Sequence, residues 1–485
     1  MGNMWGVRPP GSSLVLARGR QPEQRRECWR WVRQLEQHVV ERELEHRRAL
    51  IWGGHHVSQV VLTSLRHGRL SHGQLTEIGY ARPVGSGRED GVSPQRREAA
   101  GVNGGILRTY CKGVRIASDE HLGYAYNEFA RRNRRRKEFA DFFAVPKADM
   151  VAWARGMVER RRLDLPPIAY FTRIEPTNGK ERLIGRASAK QQFLDYVCVM
   201  ALQELFEAKV GYHQCASVRG KGQKHARRYI QRWVRDPESR YYVKLDVKKY
   251  YPSIDRAVLF AMLERDVRNP DLVWLIESLI ETHRVGLNIG SYLSQYLANY
   301  YLSGAYAYAY SLSRVRKGRS GRPSTRESLV DHVLTYMDDW LVMGHDKANL
   351  KSAVRKIARY LRDVLHVTVK PWKVCRVDRE PVDMCGFVFR RDRTTIRAGI
   401  FRRARRAILR ANRTRCLTPH IAARIVSYWG YFKVTACRSF RDRHGLGALV
   451  ATCRRVISAS AREIGGIHEE GAFLGAARAA DVPLA

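Results

Sequence analysis

The sequence predicts an α+β chain. Short apolar runs of strand type, Tyr241–Leu245, Val333–Thr335 and Trp340–Met343, alternate with longer stretches of helical periodicity. Two of these runs flank Tyr336-Met337-Asp338-Asp339 as a tight turn, and the third ends at Asp246. A chain of 485 residues suits about two to four packed units rather than one small core.

The elements follow in order. Residues 22–52 read as one amphipathic basic helix, with Trp29, Trp31, Val32, Leu35 and Val39 at helical spacing. Residues 82–104 are rich in Gly, Arg and Ser and read as a linker, so residues 1–104 form a helical N-terminal extension of unassigned role. Helical stretches at 118–142 and 147–162 carry runs of arginine. Residues 166–186 alternate as a hairpin around Asn178-Gly179, a strong turn signal. Helices then alternate with short strands to Phe389, interrupted at 314–322 by a basic segment that reads as a disordered loop. After Arg391 comes a basic helical region, 392–460, and from about 461 a Gly- and Ala-rich tail to 485.

Lys and Arg number 87 against 47 Asp and Glu, a formal net charge of +40. Such a charge repels itself and calls for a polyanion, with nucleic acid the first candidate. Hydrophobic residues make up 44% of the chain, which places it among folded proteins. The nine cysteines show no C-x-x-C pair and no zinc spacing, which fits a reducing cytoplasm. There is neither an apolar run long enough to span a membrane nor an apolar core to a secretory signal.

Three carboxylates at strand ends need a reason in so basic a chain. Templated phosphoryl transfer supplies one. Two metal ions about 3.5–4 Å apart stabilise the attacking and leaving oxygens of an in-line displacement. Carboxylates are the natural hard-oxygen ligands for Mg²⁺. Short strands fix the backbone and so preorganise the ligands.

Lys244-Leu245-Asp246-Val247-Lys248-Lys249-Tyr250-Tyr251-Pro252 resembles motif A of reverse transcriptases, and Tyr336-Met337-Asp338-Asp339 resembles their motif C. The resemblance covers roughly residues 105–450. It implies a right-hand polymerase fold, with fingers and palm over 105–391 and a helical thumb over 392–460. It further implies a metal site of Asp246, Asp338 and Asp339, with Mg²⁺ the expected ion and Mn²⁺ able to substitute. Val247 and Tyr251 fall in the nucleotide pocket, Tyr251 as an aromatic gate against a ribose 2′-hydroxyl.

The same resemblance assigns the other segments. Gly179-Lys180-Glu181-Arg182 is similar to the fingers hairpin, where Lys180 and Arg182 meet the triphosphate. Ser217-Val218-Arg219-Gly220-Lys221 is similar to the next segment, with Arg219 and Lys221 on template or primer phosphates. Lys373 matches the motif D lysine, a proton donor to departing pyrophosphate. Met384-Cys385-Gly386-Phe387 resembles the primer grip, with Gly386 open to a nucleic acid backbone. In the thumb, Arg402, Arg405 and Arg406 track phosphates.

Motif B departs from most of the family. Ile289-Gly290-Ser291-Tyr292-Leu293-Ser294-Gln295 has Ile289 for the usual Gln and Gln295 for the usual Pro. The pattern resembles reverse transcriptases of diversity-generating retroelements, which copy a template RNA with errors. Ile289, Gly290 and Gln295 line the nucleotide pocket in this reading. An aliphatic side chain reports on base placement by shape alone, worth about 1–3 kcal/mol, so fidelity falls. The resemblance implies a template RNA, a DNA or RNA primer, deoxynucleotides and a small basic helical accessory protein, in a cytoplasm of bacterial or phage-encoded setting. Two other readings stand beside it: a bacterial antiviral-defence reverse transcriptase, and a catalytically inactive nucleic-acid-binding protein.

Overall fold

A computed structural model of the chain describes residues 109–174, 179, 181–316, 324–413 and 417–460. The expected helix at 22–52, the linker at 82–104, Lys180 and the tail from 461 lie outside the described residues.

The first helices are α1 (Asp119–Asn133), α2 (Ala140–Ala144) and α3 (Lys147–Glu159). Ser118 caps α1 by accepting from the His121 N–H, and Asp119 and Glu120 favour its positive end. The continuous helix expected over 118–142 breaks after Asn133. There the Asn133 side chain donates to the Phe129 carbonyl one turn back, and the run Arg134–Lys137 carries four like charges in a row.

Next come the antiparallel hairpin β1 (Ala169–Ile174) and β2 (Glu181–Arg186), then α4 (Ala189–Ala201), α5 (Gln203–Lys209) and α6 (Gln223–Arg235). Strand β3 (Tyr241–Asp246) is followed by α7 (Tyr250–Ser253), α8 (Arg256–Asp266), α9 (Pro270–Glu281), α10 (Tyr292–Tyr301) and α11 (Ser303–Ser311).

Residues 313–328 correct an expectation. Ser313–Arg316 (β4) pairs antiparallel with Thr325–Ser328 (β5), so the start of the basic segment, residues 314–316, is strand rather than loop; residues 317–323 lie outside the described residues. Cross-strand chemistry accounts for it: Arg314 meets Glu327 at 2.8 Å, and Arg326 donates to Ser313 at 2.7 Å.

Then β6 (His332–Tyr336) and β7 (Asp339–Gly344) form a hairpin, followed by α12 (Lys347–Asp363), β8 (Val374–Arg376), β9 (Val382–Met384), β10 (Phe387–Phe389) and β11 (Thr394–Ile396). The central sheet has the order β6-β7-β3-β8, antiparallel throughout.

Strand alternation sends successive side chains to opposite faces, and both faces are covered. Val243, Leu245, Val333, Trp340 and Val342 join a core with Leu350, Val354, Ile357 and Leu361 of α12. Tyr242, Leu334, Leu341 and Met343 join Ile230, Trp233 and Val234 of α6, with Met384, Phe387 and Phe389. A sheet clamped on both sides is a rigid base for groups at its end.

The chain ends, within the described residues, in α13 (Ala398–Arg413), α14 (Pro419–Phe432), α15 (Arg438–Arg443) and a helical stretch at 446–460. These gather a separate apolar cluster around Ala404, Ile408, Ile425, Phe432 and Val450.

Candidate active site

The β6–β7 turn consists of Met337 and Asp338, because Tyr336 pairs with Asp339. Met337 takes a positive φ of 56°, a strained state for a side-chain-bearing residue. That backbone choice turns the acidic pair outward at the sheet end. On the neighbouring strand Asp246 lies directly opposite Asp339, and the Val247 N–H donates to the Asp338 carbonyl at 3.2 Å. The structure therefore brings Asp246, Asp338 and Asp339 to one end of the central strands.

Their charges are felt. Burial first, then Asp339 and Asp246, hold Asp338 up at about 6 from its ordinary 3.8, with Arg182 opposing. Burial also raises Asp339, against the pull of Lys244. On Asp246, Oδ2 accepts from Lys370 Nζ at 2.6 Å, and the Asp246 carbonyl accepts from the Lys370 N–H at 2.8 Å. Among the described residues no three His, Cys, Asp or Glu side chains are gathered tightly enough to hold a metal ion as they stand. The donor set nevertheless suits a hard divalent cation: oxygen ligands, crowded like charges, and a lysine already drawn to one of them.

The predicted pocket residues are distributed as follows. Tyr251, on α7, is half-buried, and its hydroxyl donates to Met337 Sδ at 3.8 Å, against the acidic turn. Burial, and after it Asp338, pushes the Tyr251 hydroxyl far up, so it stays protonated. Arg182 on β2 is exposed, yet its charge acts on both Asp338 and Tyr251. Ile289 is half-buried and Gly290 exposed, immediately before α10. Gln295, on α10, accepts from the Ser217 hydroxyl at 3.0 Å, tying that helix to the 215–217 loop.

The surroundings of the remaining predicted residues are as follows. The Val247 side chain is 1% exposed and belongs to the core, so only its backbone faces the acidic turn. Lys221 Nζ donates to the Gly211 carbonyl at 3.1 Å and sits over the Tyr212 ring, which makes it a loop clamp; Arg219 is exposed. Gly386, at φ +82°, does not face open space: a Cβ there would lie 2.8 Å from the Tyr431 ring and 2.9 Å from Ile400. Its missing side chain makes room for the C-terminal helices. Lys373 pairs with Glu380 at 2.6 Å with its side chain 73% exposed; the lysine on the acidic cluster is Lys370. Cys385 stays a thiol, pushed up to about 12 by burial and by Asp339. Arg402, Arg405 and Arg406 are exposed on α13, opposite its buried Ala404, Ile408 and Ala411.

Other residues were not singled out by sequence. Lys370 lies in the strand-like run Val367–Lys370, where alternation alone could have aimed it with Thr368 away from the buried Val367. Asn288 and Asp195, described below, gave no local signal.

The end of a sheet that presents an acidic hairpin turn beside a third carboxylate, within reach of the charge of Arg182, has the groups nucleotidyl transfer needs. Residues 174–389 match the family model described as reverse transcriptase (RNA-dependent DNA polymerase). Reverse transcriptases generally use divalent metal ions, and such a domain implies template nucleic acid and nucleotide substrates. A search of curated proteins finds no match to the chain. Among the described residues no helix is long and apolar enough to cross a membrane.

Proposed function

We propose that the chain is an RNA-directed DNA polymerase that builds cDNA on a template RNA. The observation that carries this reading is the meeting of Asp246 with Asp338 and Asp339 inside the span that matches the family. The β1–β2 hairpin with the helices before the sheet acts as fingers, the central sheet as palm and residues 392–460 as thumb.

Asp246 and Asp338 would hold Mg²⁺ directly, with Asp339 beside them, and such an ion would supply polarisation of the phosphoryl oxygens and ease loss of the primer hydroxyl proton. Arg182 holds the triphosphate through its guanidinium fork. The Tyr251 ring takes the space a 2′-hydroxyl needs and so selects deoxynucleotides. Primer oxygen attacks the α-phosphorus, a new P–O bond forms, and pyrophosphate leaves with the electrons of the broken bond. Exposed arginines of α13 neutralise duplex phosphates, so affinity falls steeply with salt.

Ile289 and Gln295 in motif B favour an error-prone copier that serves retroelement-driven sequence diversification. Primer extension on an RNA template with deoxynucleotides tests the chemistry. The wild-type chain extends the primer and the Asp338→Ala/Asp339→Ala variant does not. Extension that survives in the double variant refutes this site.

A further inference from the structure

The β1–β2 hairpin has little to hold it. Along the two strands the burial pattern leaves Gly185 as the one buried residue, and a lone two-stranded hairpin is marginal in water. Yet this hairpin carries Arg182. What fastens it is the segment 283–291, which precedes α10.

Asn288 is 4% exposed and faces Gly185. Its Oδ1 accepts from the Gly185 N–H at 3.0 Å, and its Nδ2 donates to the Gly185 carbonyl at 3.1 Å. A side-chain amide offers one acceptor and one donor, so here it imitates a neighbouring strand. The Gly185 N–H is shared with the Ile289 carbonyl at 3.3 Å. A Cβ at position 185 would run into the Asn288 amide, so glycine is required for the approach. On the other strand the Tyr170 hydroxyl accepts from the Arg284 N–H at 2.8 Å.

The segment is itself anchored at both ends. Leu287 N–H donates to the Tyr251 carbonyl at 2.9 Å, and Asn288 N–H donates to His283 Nδ1 at 3.2 Å. Burial lowers His283 to about 3, so its ring is neutral and able to accept. Beyond the loop, Asp195 Oδ2 accepts from the Ser291 hydroxyl at 2.8 Å and the Tyr292 N–H at 3.0 Å. One connected path thus runs from the hairpin through Asn288 to Tyr251.

We propose that Asn288 is a positioning residue that latches the β1–β2 hairpin to the motif B loop, setting Arg182 and Ile289 relative to Tyr251 before a nucleotide arrives. This rests on the polymerase reading for its consequence, but not for its geometry. The fingers hairpin is accordingly a preassembled wall of the pocket.

The test uses the full chain, without nucleotide, and two variants: Asn288→Ala, and the isosteric Asn288→Asp, which keeps the acceptor but sets an oxygen against the Gly185 carbonyl. Hydrogen exchange at the Gly185 amide accelerates at least about tenfold in both. In primer extension the deoxynucleotide KM rises about tenfold, kcat falls less, and primer–template affinity stays within about twofold. Unaltered Gly185 exchange in a folded variant overturns the latch, whatever the enzyme does. Faster exchange with an unmoved KM overturns the positioning role. Should the wild-type chain not polymerise, the polymerase reading fails and amide exchange alone judges the latch. Equal losses of kcat and duplex affinity also overturn the proposal, because they mark general damage.

Discussion

Replacing Asp338 by Asn should make the metal-free protein more stable while abolishing synthesis. Burial and two neighbouring carboxylates lift Asp338 from 3.8 to about 6. At about 1.4 kcal/mol per unit, that displacement corresponds to about 3 kcal/mol. The group retains some contact with water, so a gain of about 1–3 kcal/mol is expected. The sign follows from proton linkage. Well below 3.8, near pH 3 or lower, Asp338 is mostly neutral in folded and unfolded chains alike, and almost nothing is lost. Between 4 and 6 the unfolded chain ionises first, so wild-type stability declines as pH rises. Above 6 the folded chain carries the charge too, and the full penalty stands. Asn does not titrate. Urea unfolding in chelator-treated buffer should therefore show the variant ahead of wild type at pH 7.5 and nearly level with it near pH 3. Added divalent salt should narrow the difference at pH 7.5 by stabilising wild type alone. A variant no more stable than wild type at pH 7.5, or an advantage that ignores pH, refutes the reasoning.

Three further outcomes are expected. Lys370→Ala should cut kcat about 10²-fold while Lys373→Ala stays within about twofold, since only Lys370 contacts Asp246; steady-state primer extension separates them, and the reverse order would reinstate Lys373. Tyr251→Ala should weaken discrimination against ribonucleotides by at least about tenfold, read as the ratio of kcat/KM for matched deoxy and ribo substrates. Ile289→Gln should reduce misincorporation about tenfold in sequenced products; equal error spectra would sink the link between this position and fidelity.

How much of this was legible in the sequence depends on how far each feature reaches along the chain. Asp246, Asp338 and Asp339 stood out because strand alternation and a two-residue turn are local patterns, and those patterns determine where the strands end. That the strands then pair β3 against β7, with Asp246 opposite Asp339, is a long-range fact. The β4–β5 hairpin was missed because arginines dominate its composition, while Glu327 and Ser313, which complete its cross-strand pairs, lie on different sides of the apex. The neighbours of Gly386 cannot be read locally, because Tyr431, which occupies the space a Cβ would need, comes from far along the chain. Asn288 and Asp195 were invisible for the same reason. A lone buried Asn or Asp acquires its role from the backbone it happens to meet.

The cations around the acidic pair show how so basic a chain keeps three carboxylates available. Lys244 and Arg397 both lower Asp339, yet each is tethered elsewhere: Lys244 Nζ donates to the Asp383 carbonyl at 2.6 Å, and Arg397 pairs with the Asp383 side chain at 2.6 Å. Asp383 sits on β9, in the small sheet against which the C-terminal helices pack. Were these cations free to collapse onto Asp338 and Asp339, they would neutralise the groups that a divalent ion must find charged. Held by Asp383, they moderate the repulsion from a distance and leave the carboxylate oxygens uncovered. Lys370 does touch the trio, on Asp246, whose side chain is 41% exposed and whose bond to a flexible ammonium is readily exchanged. The arrangement solves two opposed requirements at once. In the proposed polymerase a net charge of +40 suits a polyanion, while a tethered minority of that charge leaves the acidic sheet end open for the metal.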